Sequence, residues 1–142
     1  MIEAQGGNPK VVEDASVFPQ AQEVEVYNAP RTGVVLRVEP RTIGRAVVAM
    51  GGGRLKVEDT VDPTVGFVIT VKPGDKVLSA EPIASVFAKD PPGIALGFEA
   101  LRQAIVIGDK LAEKPLPLVS HRVTKAGVEE LTRETAKGKR AT

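Results

Sequence analysis

Ile83-Ala84-Ser85-Val86-Phe87-Ala88-Lys89-Asp90-Pro91-Pro92-Gly93-Ile94 is the stretch on which the fold turns. Residues 83–88 form a short apolar run of the kind a strand makes. Asp90-Pro91-Pro92 ends it and supplies an N-cap and a proline at the first helical position. Beyond the prolines Ile94, Phe98, Leu101 and Ile105 share one helical face, and Glu99, Arg102, Gln103 and Lys110 share the other. The change from a period of two to a period of 3.6 at Asp90 predicts an α+β domain in which a helix near 93–111 covers a sheet.

Upstream, the period-two pattern recurs. Val24 and Val26 alternate with Glu23 and Glu25, which predicts a strand near 22–28 with one wet face. Val34, Leu36 and Val38 mark a second strand over 32–39. Phe67, Ile69 and Val71 mark a third over 65–72, ended by the turn Pro73-Gly74-Asp75, and Val77-Leu78 is a further short extended piece. Between the second and third strands, Thr42 is a candidate N-cap. Ile43, Ala46, Val47 and Met50 follow at i, i+3, i+4 and i+7, so a short amphipathic helix over 42–50 is predicted, stopped by Gly51-Gly52-Gly53. Residues 33–40 and 66–73 share a grammar of glycine, alternating strand and proline. That echo predicts two similar half-sheets packed face to face.

The flanks are less regular. Met1-Ile2-Glu3-Ala4-Gln5-Gly6-Gly7 reads as the end of a helix with glycine at the left-handed cap, as though a longer polypeptide preceded it. Residues 8–21 are loop-like, with Pro9 and Pro19 as breakers. The segment Lys114–Val123 holds two prolines and a candidate edge strand. Residues 124–138 read as a polar helix running into Lys137, Lys139 and Arg140, a basic tail expected to be mobile. Of the 142 residues 42% are hydrophobic, enough for a core, yet only four Phe, one Tyr and no Trp contribute to it. A net charge of +1 gives no general attraction to nucleic acid or membrane, and no stretch approaches the roughly 18 apolar residues of a membrane span. The absence of cysteine removes disulfides and thiolate metal sites and points to the cytoplasm.

Few residues suggest chemistry. Gly51-Gly52-Gly53-Arg54 could hold a phosphate on exposed amides, but these glycines follow a helix, where the dipole is negative. The favoured reading is a helix cap and tight turn, with Gly51, Gly52, Gly53 and Arg54 as structural or hinge residues and Arg54 paired to Glu58, Asp59 or Asp62. The acidic run itself reads as a solvated loop. His121, the single histidine, has no carboxylate at a recognisable spacing, so a structural or surface role is expected. One histidine without cysteine leaves no metal site of the zinc type. The residues thus describe a β-rich sandwich with helices, without a catalytic residue, substrate-binding residue or metal ligand.

Several strings, taken in order, resemble the thymidine and pyrimidine-nucleoside phosphorylase family. They are Met1–Pro9 with Val11-Val12-Glu13-Asp14, Thr32–Val35, Ile43–Arg54, Asp59–Phe67, Gly74–Val77 and Ala88-Lys89-Asp90 with the helix after it. The resemblance covers residues 1–112, with Pro117–Val123 a weaker match. It implies that 1–21 is a linker from a central domain, 22–112 the family's C-terminal α+β domain of hammerhead and barrel-sandwich type, and 113–142 a proline-containing extension with a basic tail. It implies a parent pentosyltransferase that cleaves a pyrimidine nucleoside with phosphate, giving free base and pentose 1-phosphate. Phosphate is then a co-substrate and no cofactor is needed. The parent's partners are its own helical and α/β domains and a second subunit, not nucleic acid or membrane. The family's base- and phosphate-binding motifs have no counterpart here, so no catalytic residue carries over. The alternative is a free-standing biotinyl- or lipoyl-like binding module, with Lys72 and Lys76 flanking the Pro73-Gly74 turn. Neither lysine has the hairpin setting of a carrier lysine.

Overall fold

The computed structural model of the chain describes residues 1–110 and 119–130, which fall in two compact units, Met1–Leu111 and Ala112–Thr142. The first unit runs through three short 3-10 turns, Glu3–Gln5, Pro9–Val12 and Ala15–Val17, then β1 (Glu23–Asn28) and β2 (Gly33–Val38). Next come α1 (Pro40–Val47), β3 (Gly66–Ile69), β4 (Lys76–Val77), β5 (Pro82–Ala88), α2 (Pro91–Ala104) and β6 (Ile105–Gly108). Gly6 takes the left-handed cap at φ 79° and returns its N–H to Glu3, as the glycine pair suggested. The strands make two antiparallel sheets, ordered β1-β5-β3 and β4-β2-β6, and neither closes into a barrel among the described residues. The unit is α+β.

The switch at Asp90 is real. Its Oδ1 accepts from the Gly93 N–H at 2.9 Å, and Pro91 sits where a helix has no use for an N–H. Leu101 is fully buried, and Ile94 and Phe98 pack on the core made by Val35, Val77, Ile83, Ala84 and Val86. Glu99 bonds Arg102 and Gln103 on the wet face. The contact that lets α2 lie close is Gly97. A Cβ there would stand 2.4 Å from Val86 Cγ1 and 3.3 Å from the Phe67 ring.

Five expectations are corrected. The covering helix stops at Ala104 rather than 111, because the β-branched run Ile105-Val106-Ile107 leaves helical backbone and pairs with Val38, Arg37 and Val35 of β2 as β6. The first helix begins at Pro40, with the Glu39 carboxylate accepting from the Arg41 N–H at 3.2 Å, so Thr42 lies inside it and is not the cap. On β1 the faces are inverted. Val24 and Val26 are 52% and 48% exposed, while Tyr27 is buried opposite Ala84 with its ring edge-on to Phe98 at 5.4 Å. The larger aromatic surface decides which face turns inward, and burial raises the Tyr27 phenol above its ordinary pKa. The glycine-strand-proline echo does fall in the two different sheets, but β2 is central in its sheet and β3 is an edge, so the halves are not equivalent. Prolines exit differently too, Pro40 opening α1 and Pro73 entering the turn before β4.

The fifth correction concerns the second unit, where β7 (His121–Thr124) pairs with β8 (Gly127–Glu130) in a hairpin. The polar helix expected from 124 is therefore not formed over 124–130. Gly127 at φ 133° turns the chain, and Val123 pairs across to Val128. The rest of that helix and the tail Lys137–Arg140 lie outside the described residues, as do residues 114–118 of the proline segment.

The α2 contact generates a test. In a helix, Gly97→Ala should gain about 1 kcal/mol of propensity, but the fully buried Val86 cannot retreat, and overpacking costs about 1–3 kcal/mol. Urea unfolding should show Gly97→Ala no more stable than the parent. Leu101→Ala, which only empties space, should lose about 2–5 kcal/mol. A Gly97→Ala chain more stable than the parent would show that α2 does not rest on β5 as described.

Candidate functional site: the loop after the glycine triplet

The glycine triplet sits where the sequence placed it, at the C-terminal end of a helix. After α1 the backbone widens into a π-type turn, Val48–Gly52, and Gly51 takes φ 99°, a conformation that suits glycine. Gly52 lies against Val47 and Val65, where a Cβ would approach their methyl groups to 2.8 and 2.7 Å. Gly53 is extended and leads away from the helix. The Gly51 carbonyl then accepts from the Asp62 N–H at 2.9 Å, so the chain from 51 to 62 is a loop with tied ends.

Inside this loop the two aspartates are used by the backbone, while Glu58 is exposed. Asp59 Oδ2 accepts from the N–H groups of Leu55 and Lys56 at 2.9 and 2.8 Å. Asp62 Oδ1 accepts from the N–H and hydroxyl of Thr64 at 2.9 and 2.6 Å. The Thr64 hydroxyl first, and its N–H second, hold the Asp62 carboxyl below its ordinary pKa, with Lys89 adding a smaller pull. The expected pairing of Arg54 with Glu58, Asp59 or Asp62 is therefore corrected: among the described residues Arg54 makes no ion pair, because two of its candidate partners cap amides instead.

The consequence is a tethered loop that presents Arg54, Leu55, Lys56 and Val57 to solvent. Leu55 and Val57 are each 83% exposed, far beyond the other apolar side chains of this region. Sequence reasoning singled out Arg54 but missed this apolar pair. The signal was the alternation of cation and apolar residue across 54–57, too short to separate from chance, closed by Asp59 and by Asp62-Pro63-Thr64, whose turn chemistry was readable.

The other candidates belong to other elements. His121 lies in the second unit, exposed on β7, with its Nδ1 2.9 Å from the Ser120 hydroxyl. Lys72 gives its ammonium and its backbone N–H to Asp75, at 2.6 and 2.9 Å, so its turn is internally tied. The side-chain hydrogen bond from Lys72 first, and its backbone N–H second, hold the Asp75 carboxyl below its ordinary pKa. Lys76 is exposed on β4. Among the described residues no three acidic or histidine side chains converge on a point that could hold a metal. No helix of the described residues is long and apolar enough to cross a membrane.

Residues 34–108 match the family described as pyrimidine nucleoside phosphorylase C-terminal domain, more than half of the chain. That span opens in β2 and closes at the last residue of β6, and it includes the tethered loop. A thymidine phosphorylase of Burkholderia orbicola (strain MC0-3) is 37% identical over 110 residues, which is 77% of this chain and 25% of that protein. The chain thus spans a quarter of the length of that relative.

The loop's acid groups set its pH behaviour. A carboxyl with a lowered folded-state pKa contributes above its ordinary pKa, and the contribution is lost as pH falls through the lowered value. The Asp62 side chain, followed by carboxyl carbon NMR, should therefore titrate below the ordinary value of 3.8. Thr64→Val, which keeps the shape and removes the hydroxyl, should move that midpoint back up. An unchanged midpoint in Thr64→Val would show that the hydroxyl does not clasp Asp62.

Proposed function

Because the chain belongs to the pyrimidine nucleoside phosphorylase C-terminal domain family, we propose that it serves as the non-catalytic C-terminal domain of a cytoplasmic thymidine or pyrimidine-nucleoside phosphorylase. The parent is a pentosyltransferase. A phosphate oxygen bonds to the anomeric carbon, the bond from that carbon to the pyrimidine nitrogen breaks, and the base leaves with the electron pair and takes a proton. The products are free base and pentose 1-phosphate. Such a reaction needs a positioned phosphate and charge stabilisation at the departing base, tasks for convergent cationic and hydrogen-bonding groups in a cleft. The two three-stranded sheets that share a core are the part of this fold we assign to the barrel-sandwich type.

The observation that carries the reading is the tethered loop. Its ends are fixed, its two aspartates bind backbone amides, and Arg54, Lys56, Glu58 and two large apolar groups are left exposed. That is the composition of a contact surface, and Gly51, Gly52 and Gly53 set its angle to α1. In the parent enzyme this loop would meet the helical and α/β domains, with Arg54 taking a carboxylate there and so holding domain orientation. The parent would be a homodimer with no cofactor, phosphate being its co-substrate.

Arg54→Ala in the full-length enzyme tests this. Loss of a closure contact misplaces the reacting groups, so kcat should fall by roughly 10- to 100-fold. The preference between thymidine and uridine should stay within about twofold, because the change is remote from the base. A variant with unchanged kcat, or one whose base preference shifts with kcat preserved, would contradict the hinge role of Arg54.

A further inference from the structure

The first sheet has two faces with opposite fates. On the inner face Tyr27, Ala84 and Val86 are buried, and α2 covers them. On the outer face the register aligns Val24 with Phe87 and Gly66, and Val26 with Ser85 and Val68. Val24, Val26 and Val68 are 52%, 48% and 52% exposed. Single exposed valines are ordinary, but these lie on the two strands that flank β5, Val26 and Val68 either side of Ser85 and Val24 beside Phe87, and none of the six aligned positions carries a charge.

The topology indicates what covers this face. β1 and β3 both run antiparallel to β5, so they run parallel to each other, and both start beside the end of β5, at Ala88 and Phe87. Residues 1–22 and the tethered loop therefore lead into the sheet at the same end. Residues 1–22 contain no buried residue, their backbone bonds are all among themselves, and they expose Val12 at 74% and Phe18 at 52%. The segment that carries Val12 and Phe18 and the loop that carries Leu55 and Val57 thus both lead into one end of the sheet whose outer face bears the valines. The family is a C-terminal domain, and the chain spans a quarter of its relative, so most of such an enzyme precedes this segment.

We infer that the preceding part of the phosphorylase polypeptide docks on the outer face of the β1-β5-β3 sheet, over Val24, Val26, Val68 and Phe87, continuing along Val12 and Phe18. This rests on the reading of the chain as a phosphorylase C-terminal domain. The docked surface is apolar and carries no carboxylate against the valines, since the face opposite it offers no cation to pair with one. Arg54 and Lys56, exposed on the loop that leads toward β3, would supply its polar rim.

The test joins the whole 142-residue chain behind the part of the Burkholderia orbicola thymidine phosphorylase that precedes its matching segment. Amide hydrogen exchange is then compared between the joined enzyme and the isolated chain, and phosphorolysis of thymidine is assayed alongside. Exchange across residues 11–26 and 66–70 should slow at least tenfold in the joined enzyme. Val26→Lys should abolish that slowing, while Val26→Thr should weaken it, and both should leave the circular dichroism of the isolated chain unchanged because the side chain is already in water. Slowed exchange with no phosphorolysis would support the docking and sink the enzymatic reading. Phosphorolysis with unchanged exchange over both segments would overturn the docking and leave that reading standing. Unchanged exchange with no activity would overturn both. Equal protection of the same amides in a dimer of the isolated chain would assign the face to a second copy and also overturn the proposal.

Discussion

The closest constraint in this domain is the approach of α2 to β5 at Gly97. Without a side chain there, the helix lies directly on Val86 and the Phe67 ring, and Leu101 reaches the centre of the core. Everything else is arranged around that approach. Tyr27 can meet Phe98 only because α2 is low on the sheet, and this meeting turns the valines of β1 outward. At the far end of the helix Ile105 passes straight into β6, whose pairing with β2 ties the second sheet to the first. A core with few aromatic residues is made tight by bringing backbone close to backbone rather than by filling space with large rings.

The same economy of side chains shapes the loop after α1. Its glycines allow a widened turn and a left-handed residue, and its aspartates replace the missing regular structure by capping amides. Carboxylates committed to the backbone cannot also neutralise Arg54. A loop that looked self-paired in the sequence is therefore one whose cations face outward. That exposure is what the proposed contact with other domains of a parent enzyme rests on.

Much of this was legible in the sequence. The strand-to-helix switch was readable because Asp90, Pro91 and Pro92 leave few backbone options, and Ile94, Phe98 and Leu101 keep one period throughout. Strand positions were readable from alternation, but their inward faces were not. Val24 and Val26 look like core residues until a single Tyr27 outweighs them through tertiary contact. The passage from Ala104 to β6 was hidden because Ile105 fits both a helical face and a strand, and only the partner strand decides. At the loop, Gly51 to Arg54 were visible as a unit, but the exposure of Leu55 and Val57 depends on which groups Asp59 and Asp62 choose to bind. Of the second hairpin, β7 falls almost wholly in the segment read as holding an edge strand, whereas β8 was read as helix because polar residues with one glycine carry weak periodicity of either kind.

The central proposal is that this chain supports a phosphorylase without performing its chemistry. The most direct measurement incubates the purified chain with thymidine or uridine and inorganic phosphate, and follows free base by chromatography. The account predicts no release above that of buffer. Clear release of thymine or uracil, abolished by Arg54→Ala or by His121→Ala, would show that the domain itself carries the reaction and would contradict it.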